Sequence, residues 1–277
     1  MSSQLSSYEN LELRRSGSVL ELVLNRPDQR NAMTRKLGEE MSAVLSEIGS
    51  DRSIRALVVR GNGKVFCAGG DIKGFSRIFQ EKNLPEKEIT EENRGFGTLL
   101  EQLNTLPQTV IMMVHGAAMG GGMGLVACAD VAISTADAKF SLTETSIGLI
   151  PAQIAPFIVD RIGVALSRRL MLTGSMIDGE EAARIGYVDY VEANETAAEY
   201  RLQQVLAQIN RCAPTANAHT KAIILHRRDN SLSSTLDLAA DLFGAVMQSE
   251  EGREGVGSFV EKRKPLWVES AEGGRGK

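Results

Sequence analysis

Residues 109–130 read TVIMMVHGAAMGGGMGLVACAD, and this stretch decides the fold. Its first part, residues 110–114, is a run of five apolar residues, which is the pattern of a buried β-strand. Its last part, residues 122–129, has the small-residue composition of a closely packed helix. Four glycines fall within residues 120–124. Glycine has no Cβ, so the chain can turn sharply here and a ligand can approach the backbone closely.

A strand, a glycine turn and a helix N-terminus in this order predict a site for a negatively charged oxygen. The first N–H groups of a helix have no partner within the helix and are free to bind an anion. A membrane helix with GxxxG pairs is disfavoured, because His115 lies in the span and the glycines cluster. A Rossmann turn would need G-x-G-x-x-G, which is missing here. The alternative interpretation, a tight strand-to-helix turn that serves packing alone, stays open.

Composition bounds the class of protein. The chain has 277 residues, of which 43% are hydrophobic, so it has ample material for a core. The net charge of −4 gives no electrostatic reason to expect nucleic acid or an anionic membrane as a partner. The three cysteines and three histidines show no metal-ligand spacing. We expect no metal, reduced thiols and, since the N-terminus lacks an apolar signal core, a cytoplasmic protein.

Strands and helices alternate up to about residue 192, and the pattern afterwards is helical. We predict an α/β core over residues 8–192, a helical subdomain over 193–268 and a disordered tail over 269–277. Strands are predicted at 19–24, 54–60, 110–114, 131–134, 139–142 and 187–191. Helices are predicted from Asn31 to Ile48 and at 72–79, 96–103, 155–161, 163–172 and 178–185. In the C-terminal part, one apolar face comprises Ala198, Leu202, Val205, Leu206 and Ile209, and another comprises Ala239, Leu242, Phe243 and Val246.

A polar, charge-rich segment lies at residues 80–93. It has two interpretations, a solvated surface loop or a mobile flap over an apolar tail of the substrate.

A second glycine turn, AGGD at residues 68–71, follows the short extended piece 65–67. If the two turns converge, the N–H groups of Gly70 and Gly121 point at one oxygen and form an oxyanion hole. Loss of one such donor typically costs about 2.7–4 kcal/mol of transition-state stabilisation. Sequence alone does not establish that the turns converge.

Glu144 is the candidate acid–base. It lies in a turn between short apolar segments, where desolvation raises the pKa of a carboxyl group towards values useful for proton transfer. The alternative is a solvated or helix N-terminal carboxylate. Asp71 is equally well explained as a helix cap, and His115 as the end of a buried strand. Nucleophilic catalysis has little support, because the chain has no G-x-S-x-G and Cys67 is better explained as a buried thiol.

Several motifs together resemble the crotonase (enoyl-CoA hydratase/isomerase) superfamily. FCAGGDIK at residues 66–73 is similar to its first signature, and GAAMGGG at 116–122 is similar to its second. The motifs that also fit are NRP at 25–27, NAM at 31–33 and FVEKRKP at 259–265. The resemblance covers residues 8–268 and favours the oxyanion interpretation of the glycine turns.

The resemblance implies a crotonase fold of repeated β-β-α units, with a C-terminal helical region that packs into trimers, often paired into hexamers. It implies an acyl-CoA thioester as ligand, with coenzyme A as part of the substrate and no separate cofactor. Gly70 and Gly121 match the two donors to the thioester oxygen. The residues that match contacts to coenzyme A are Arg26, Ala68, Gly69, Asp71, Ile72, Lys73, Phe259 and Lys262, the last two in some members from a neighbouring subunit.

One position departs from the typical hydratase pattern. Glu144 matches the second of the two glutamates that hold the attacking water, but the first falls on Gly124. A single acid suits double-bond isomerisation. However, residues 140–145, 150–157 and 211–214 resemble the branched glutaconyl-CoA hydratases of leucine and acyclic-terpene breakdown, in which a glycine also stands at this position.

We therefore predict hydration of a branched glutaconyl-CoA, of the isohexenylglutaconyl- or methylglutaconyl-CoA type. An ordered water or the distal carboxylate of the substrate would replace the missing acid. The alternatives are a Δ3,Δ2-enoyl-CoA isomerase and a non-catalytic acyl-CoA-binding protein.

Overall fold

The computed structural model describes residues 7–71 and 85–268. The predicted helix at 72–79, the site candidates Ile72 and Lys73, and the tail at 269–277 lie outside the described residues.

The larger sheet of the described residues contains six strands, paired in the order β1-β2-β3-β4-β6-β9. Its strands are Leu11–Ser16 (β1), Val19–Leu24 (β2), Ala56–Gly61 (β3), Thr109–Val114 (β4), Val131–Thr135 (β6) and Tyr190–Glu192 (β9). β1 and β2 form an antiparallel hairpin, and each later pair is parallel. A smaller sheet pairs β5, β7 and β8, which are Ala117–Met119, Lys139–Ser141 and Ile177–Asp178.

The helices of the described residues are α1 (Arg35–Ile48), α2 (Glu86–Thr105), α3 (Gly121–Ala127), α4 (Ala155–Thr173), α5 (Gly179–Arg184), α6 (Glu195–Ile209), α7 (Pro214–Asp229), α8 (Leu232–Gln248) and α9 (Glu250–Val260). Most predicted elements are confirmed with shifts of a few residues at their ends. The predicted helices at 155–161 and 163–172 join as α4, across a kink at Gly163 with φ +76°.

The core explains the apolar run that opens the deciding stretch. β4 is buried on both faces, as parallel strands usually are. One face, with Val110 and Met112, packs in the main core together with α1 and α2. The other face, with Ile111 and Met113, packs against α6.

Two predicted boundaries are wrong. α1 does not begin at Asn31, because the Thr34 hydroxyl caps it by accepting from the Leu37 N–H. Residues 86–93, predicted as part of a loop, form the first turns of α2. Their charges are solvated, and Glu86 and Glu88 in the first turn favour a helix N-terminus.

The C-terminal helices differ in their burial. The predicted apolar face of α6 is buried against the sheet. On the predicted face of α8, Ala239, Leu242 and Val246 are half-buried, whereas Phe243 is 68% exposed. The domain boundary at residue 192 stays a prediction, and α6 beyond it packs on the core sheet. Nowhere in the described residues does a helix have the length and apolarity needed to cross a bilayer.

Candidate active site

The first glycine turn is held from one side by Met33. The Met33 N–H donates to the Gly69 carbonyl at 2.8 Å, and the Met33 carbonyl accepts from the Asp71 N–H at 3.0 Å. In extended backbone, the polar groups of successive residues point to opposite sides. The Gly70 N–H therefore points away from Met33, and it has no hydrogen-bond partner among the described residues.

The second glycine turn opens α3. Gly120, with φ +45° and ψ −114°, precedes the helix and donates its N–H to the Ser141 carbonyl at 2.9 Å. Every residue of α3 is buried. The Gly121 N–H belongs to the first turn, so it has no acceptor within the helix. Elsewhere in the described chain it has none either.

The structure brings the two turns together. A Cβ atom built on Gly69 would lie 3.0 Å from the Met119 carbonyl oxygen and 3.7 Å from Gly120 Cα. One built on Gly120 would lie 3.8 Å from Gly69 Cα. Both glycines have positive φ, +94° for Gly69 and +45° for Gly120, and a Cβ on Gly69 would press on the Met119 carbonyl, so glycine is favoured at this approach.

The Glu144 side chain faces the two glycine turns where they approach each other. It is the first residue of the 3-10 helix Glu144–Ile147, and its Oε1 lies 2.6 Å from the position of a Cβ built on Gly120. Its Oε2 is buried with no hydrogen-bond partner among the described residues. Burial raises the pKa of the Glu144 carboxyl, and a backbone hydrogen bond opposes this shift more weakly. Such a carboxylate is suited to take up and return a proton beside two unused N–H donors.

The space beside Gly124 is apolar. A Cβ built there would lie 3.2 Å from Ile154 Cγ1 and 3.4 Å from Leu100 Cδ1. A bound water needs two or more polar partners, which these two side chains do not offer. Leu100 and Ile154 therefore offer no hydrogen bond to an ordered water, which is one of the two predicted substitutes for the missing glutamate.

Helix α2 covers the second turn. Phe96 Cζ lies 3.3 Å from the position of a Cβ on Gly121. One residue later, Gly97 leaves room for the Gln153 side chain, whose Nε2 donates to Asn93 Oδ1 at 2.9 Å. Phe96 was missed by sequence reasoning, since its place over the turn depends on tertiary packing.

A family model described as enoyl-CoA hydratase/isomerase matches residues 14–270. The chain belongs to this family. It is 31% identical over 248 residues to a probable enoyl-CoA hydratase of Bacillus subtilis (strain 168), which covers 89% of this chain and 94% of that protein. It is 30% identical over 275 residues to the mitochondrial Delta(3,5)-Delta(2,4)-dienoyl-CoA isomerase of Dictyostelium discoideum, over 95% of this chain and 93% of that one.

Solved structures agree with this assignment. Pseudomonas aeruginosa AtuE has a TM-score of 0.91 and 47% identity, over 94% of this chain and all of that one (100%). An enoyl-CoA hydratase/isomerase from Marinobacter aquaeolei has a TM-score of 0.90 and 42% identity, over 94% and 99%. The predicted crotonase fold and membership of an enzyme family are thereby confirmed.

The predicted coenzyme A contacts of this enoyl-CoA hydratase/isomerase family member fall into two groups. Arg26, Ala68, Gly69 and Asp71 lie on segments that hydrogen-bond to each other. The Ala68 N–H donates to the Arg30 carbonyl at 2.9 Å, and Met33 pairs with Gly69 and Asp71 as described. The Arg26 guanidinium donates to the Ala32 carbonyl.

Phe259 and Lys262 form the second group, at the end of α9. Phe259 is 85% exposed, and Lys262 has a left-handed φ of +57°. Within the described chain, no hydrogen bond or ion pair joins either side chain to the glycine turns. Their predicted contact to coenzyme A stays a prediction.

The surroundings of Cys67 and His115 are consistent with structural roles for both residues. Complete burial raises the pKa of the Cys67 thiol to about 12, so the nucleophilic thiolate is strongly disfavoured. His115 Nε2 lies 2.9 Å from the Gly63 carbonyl oxygen. Neither residue needs a role in the chemistry.

Proposed function

We propose that this member of the enoyl-CoA hydratase/isomerase family adds water across the α,β double bond of an acyl-CoA thioester. The observation that carries the proposal is the buried Oε2 of Glu144, which has no partner among the described residues and belongs to a carboxyl group that faces the two converging glycine turns. In this proposal the thioester oxygen accepts hydrogen bonds from the Gly70 and Gly121 N–H groups.

The proposed reaction needs one carboxylate. Glu144 takes a proton from water while the water oxygen bonds to the β-carbon. The electron pair of the double bond moves towards the thioester, and the negative charge collects on the oxygen between Gly70 and Gly121. Glu144 then returns the proton to the α-carbon and the carbonyl re-forms. One water is added, Glu144 ends as it began, and both new bonds form on the same face.

We further propose a branched glutaconyl-CoA of the isohexenylglutaconyl- or methylglutaconyl-CoA type as the substrate. The motifs at residues 140–145, 150–157 and 211–214 support this class. Phe96, a partly buried side chain next to Gly121, offers a hydrocarbon branch an apolar contact beside α3. An ordered water or the distal carboxylate of the substrate would replace the missing acid, and both stay predictions.

The test is a panel of acyl-CoA esters incubated with the enzyme in water enriched in heavy oxygen. We expect heavy oxygen in the alcohol formed from branched glutaconyl-CoA, with kcat/KM at least about tenfold above that for straight-chain crotonyl-CoA, a modest discrimination for an apolar pocket. Label incorporation with crotonyl-CoA at equal efficiency would contradict the branched substrate class and leave the hydratase assignment intact.

Isomerisation is the second candidate, and a specific observation favours it. The first of the two glutamates of typical hydratases is replaced by Gly124, next to the apolar side chains of Leu100 and Ile154, which leaves one acid to move one proton. A Δ3,Δ2-enoyl-CoA isomerase would shift the double bond with no heavy oxygen in the product. A non-catalytic binding protein would retain the thioester and exchange no deuterium at the α-carbon.

We propose a homotrimer or hexamer in the cytoplasm as the functional form. The apolar residues that α8 leaves exposed support an interface there; they are Leu232, Leu236, Phe243 and Met247. In such an assembly, a neighbouring subunit would supply Phe259 and Lys262. The three cysteines are free, as in a reducing compartment.

A further inference from the structure

Asn31 is fully buried in an unusual conformation. Its φ is +54°, and the preceding Arg30 has a φ of +51°. Residues other than glycine rarely adopt this left-handed backbone region. Its amide group uses both donors and its acceptor. Oδ1 accepts from the Arg26 N–H at 2.9 Å, and Nδ2 donates to the carbonyls of Asn62 and Val65, each at 2.9 Å. This set of bonds holds the backbone conformation in place.

The residue two positions later contacts both glycine turns. The Met33 backbone pairs with Gly69 and Asp71, on either side of Gly70. The Met33 side chain reaches the other turn, where its Cγ lies 3.7 Å from the position of a Cβ on Gly121. Met33 therefore lies next to both Gly70 and Gly121, the two residues whose N–H groups have no partner among the described residues.

The bonds of Asn31 also fix the far side of the first turn. Val65, whose carbonyl accepts from Asn31, leads directly into Phe66 and Cys67. The N–H groups of Phe66 and Cys67 donate to the carbonyls of His115 and Ala117 at 3.0 Å each, beside the second turn. Asn31 thus joins the loop that carries Met33 to the segment that carries Gly70.

We infer that Asn31 and Met33 are positioning residues for the oxyanion hole. Met33 orients the Gly70 N–H through its backbone and supports Gly121 through its side chain, and Asn31 holds Met33 in register. The inference rests on the proposed function, because it assigns these residues to the donors proposed there. It predicts that their loss impairs polarisation of the carbonyl more than binding of the ester.

The test uses Asn31→Gly. Glycine accepts the left-handed φ, so this variant removes the side-chain hydrogen bonds and avoids added backbone strain. The probe is cinnamoyl-CoA, a conjugated thioester whose absorption moves to the red when its carbonyl is polarised. We expect a smaller red shift on binding, a kcat lower by about 10²-fold, as for loss of one oxyanion donor, and a Kd for the probe within about threefold of the wild-type value.

Asn194→Ala is the matched control. Asn194 also uses its side chain to hold backbone, since its Oδ1 accepts from the Ala197 N–H at the start of α6. We expect this variant to lose thermal stability and keep the red shift and kcat. A folded Asn31→Gly variant with the wild-type red shift and kcat would overturn the inference. Met33→Ala tests the side-chain contact to Gly121 separately, and wild-type values of the red shift and kcat in this variant would overturn the role assigned to the Met33 side chain.

The wild-type protein separates this inference from the proposed function. If wild type binds the probe without a red shift, the proposed oxyanion hole fails. If wild type shows the shift and the variants keep it, the hole stands and the positioning role fails.

Discussion

The Glu144 carboxyl carries one oxygen that is buried without a partner in the described structure, and burial raises its pKa. To take a proton from water, this group must first be ionised. We predict that kcat/KM falls as the pH is lowered through the raised pKa, so the acid limb of the profile lies above the ordinary glutamate value of about 4.3. Measurement of kcat/KM across the acidic range checks this. An acid limb at or below the ordinary value would contradict it.

Two features favour glycine at position 120, a positive φ and the nearness of the Glu144 carboxylate, and their effects can be measured separately. Its φ is +45°, and a Cβ would lie 2.6 Å from Glu144 Oε1. Gly17 shares the first reason alone, with φ +58° and no atom within 4 Å of a Cβ. We predict that Gly17→Ala costs about 1–2 kcal/mol of stability and keeps kcat, whereas Gly120→Ala also loses activity by displacing the carboxylate. Denaturant unfolding and steady-state kinetics check this. Equal kcat in the two variants would argue against a role for the Gly120–Glu144 contact.

Single residues show what sequence could and could not predict. Local motifs suffice to name Glu144, Gly70 and Gly121 as candidates, and their roles stay predictions. Asn31 was predicted as a helix start, since asparagine is common there, and its side chain instead binds carbonyls more than thirty positions away. Ile154 fills the space beside Gly124 only after the chain has folded.

Helix α2 shows the same contrast at the scale of an element. Its N-terminal turns are so polar that residues 86–93 were predicted as a loop. The helix forms because its later turns bury Leu99, Leu100 and Leu103 in the core. Tertiary packing thus overrides a weak local signal. The bounds of β2 and β4 were easier to predict, because continuous apolar runs leave few alternatives.

Two glycines in α2 allow a direct test of how the helix serves the site. A Cβ on Gly97 would overlap the Gln153 side chain, whereas one on Gly95 would meet nothing within 4 Å. We predict that Gly95→Ala adds up to about 1 kcal/mol of helix stability and keeps kcat/KM. Gly97→Ala is expected to displace Gln153, shift Phe96 relative to Gly121 and lower kcat/KM. Thermal unfolding and kinetics check both. A Gly97→Ala enzyme with wild-type kcat/KM would contradict a role for α2 in the pocket.

At the scale of the whole molecule, the C-terminal helices present apolar side chains to solvent. Phe243 is 68% exposed and Phe259 85%. We predict that the chain, of 29.9 kDa, sediments as a trimer or hexamer, and that Phe243→Glu lowers the mass in analytical ultracentrifugation. Tyr200→Glu on α6, where the tyrosine is 69% exposed, is the control and should leave the mass unchanged. A wild-type monomer would contradict the prediction.

The central claim is that Glu144 alone moves the proton while two backbone amides hold the thioester oxygen. The most direct measurement is the rate of heavy-oxygen incorporation into branched glutaconyl-CoA by Glu144→Gln, with exposed Glu47→Gln as the control. We predict a loss of at least about 10³-fold for Glu144→Gln, within the range of general acid–base catalysis, with the Kd for the ester nearly unchanged. A Glu144→Gln enzyme that incorporates heavy oxygen at close to the wild-type rate would contradict the account.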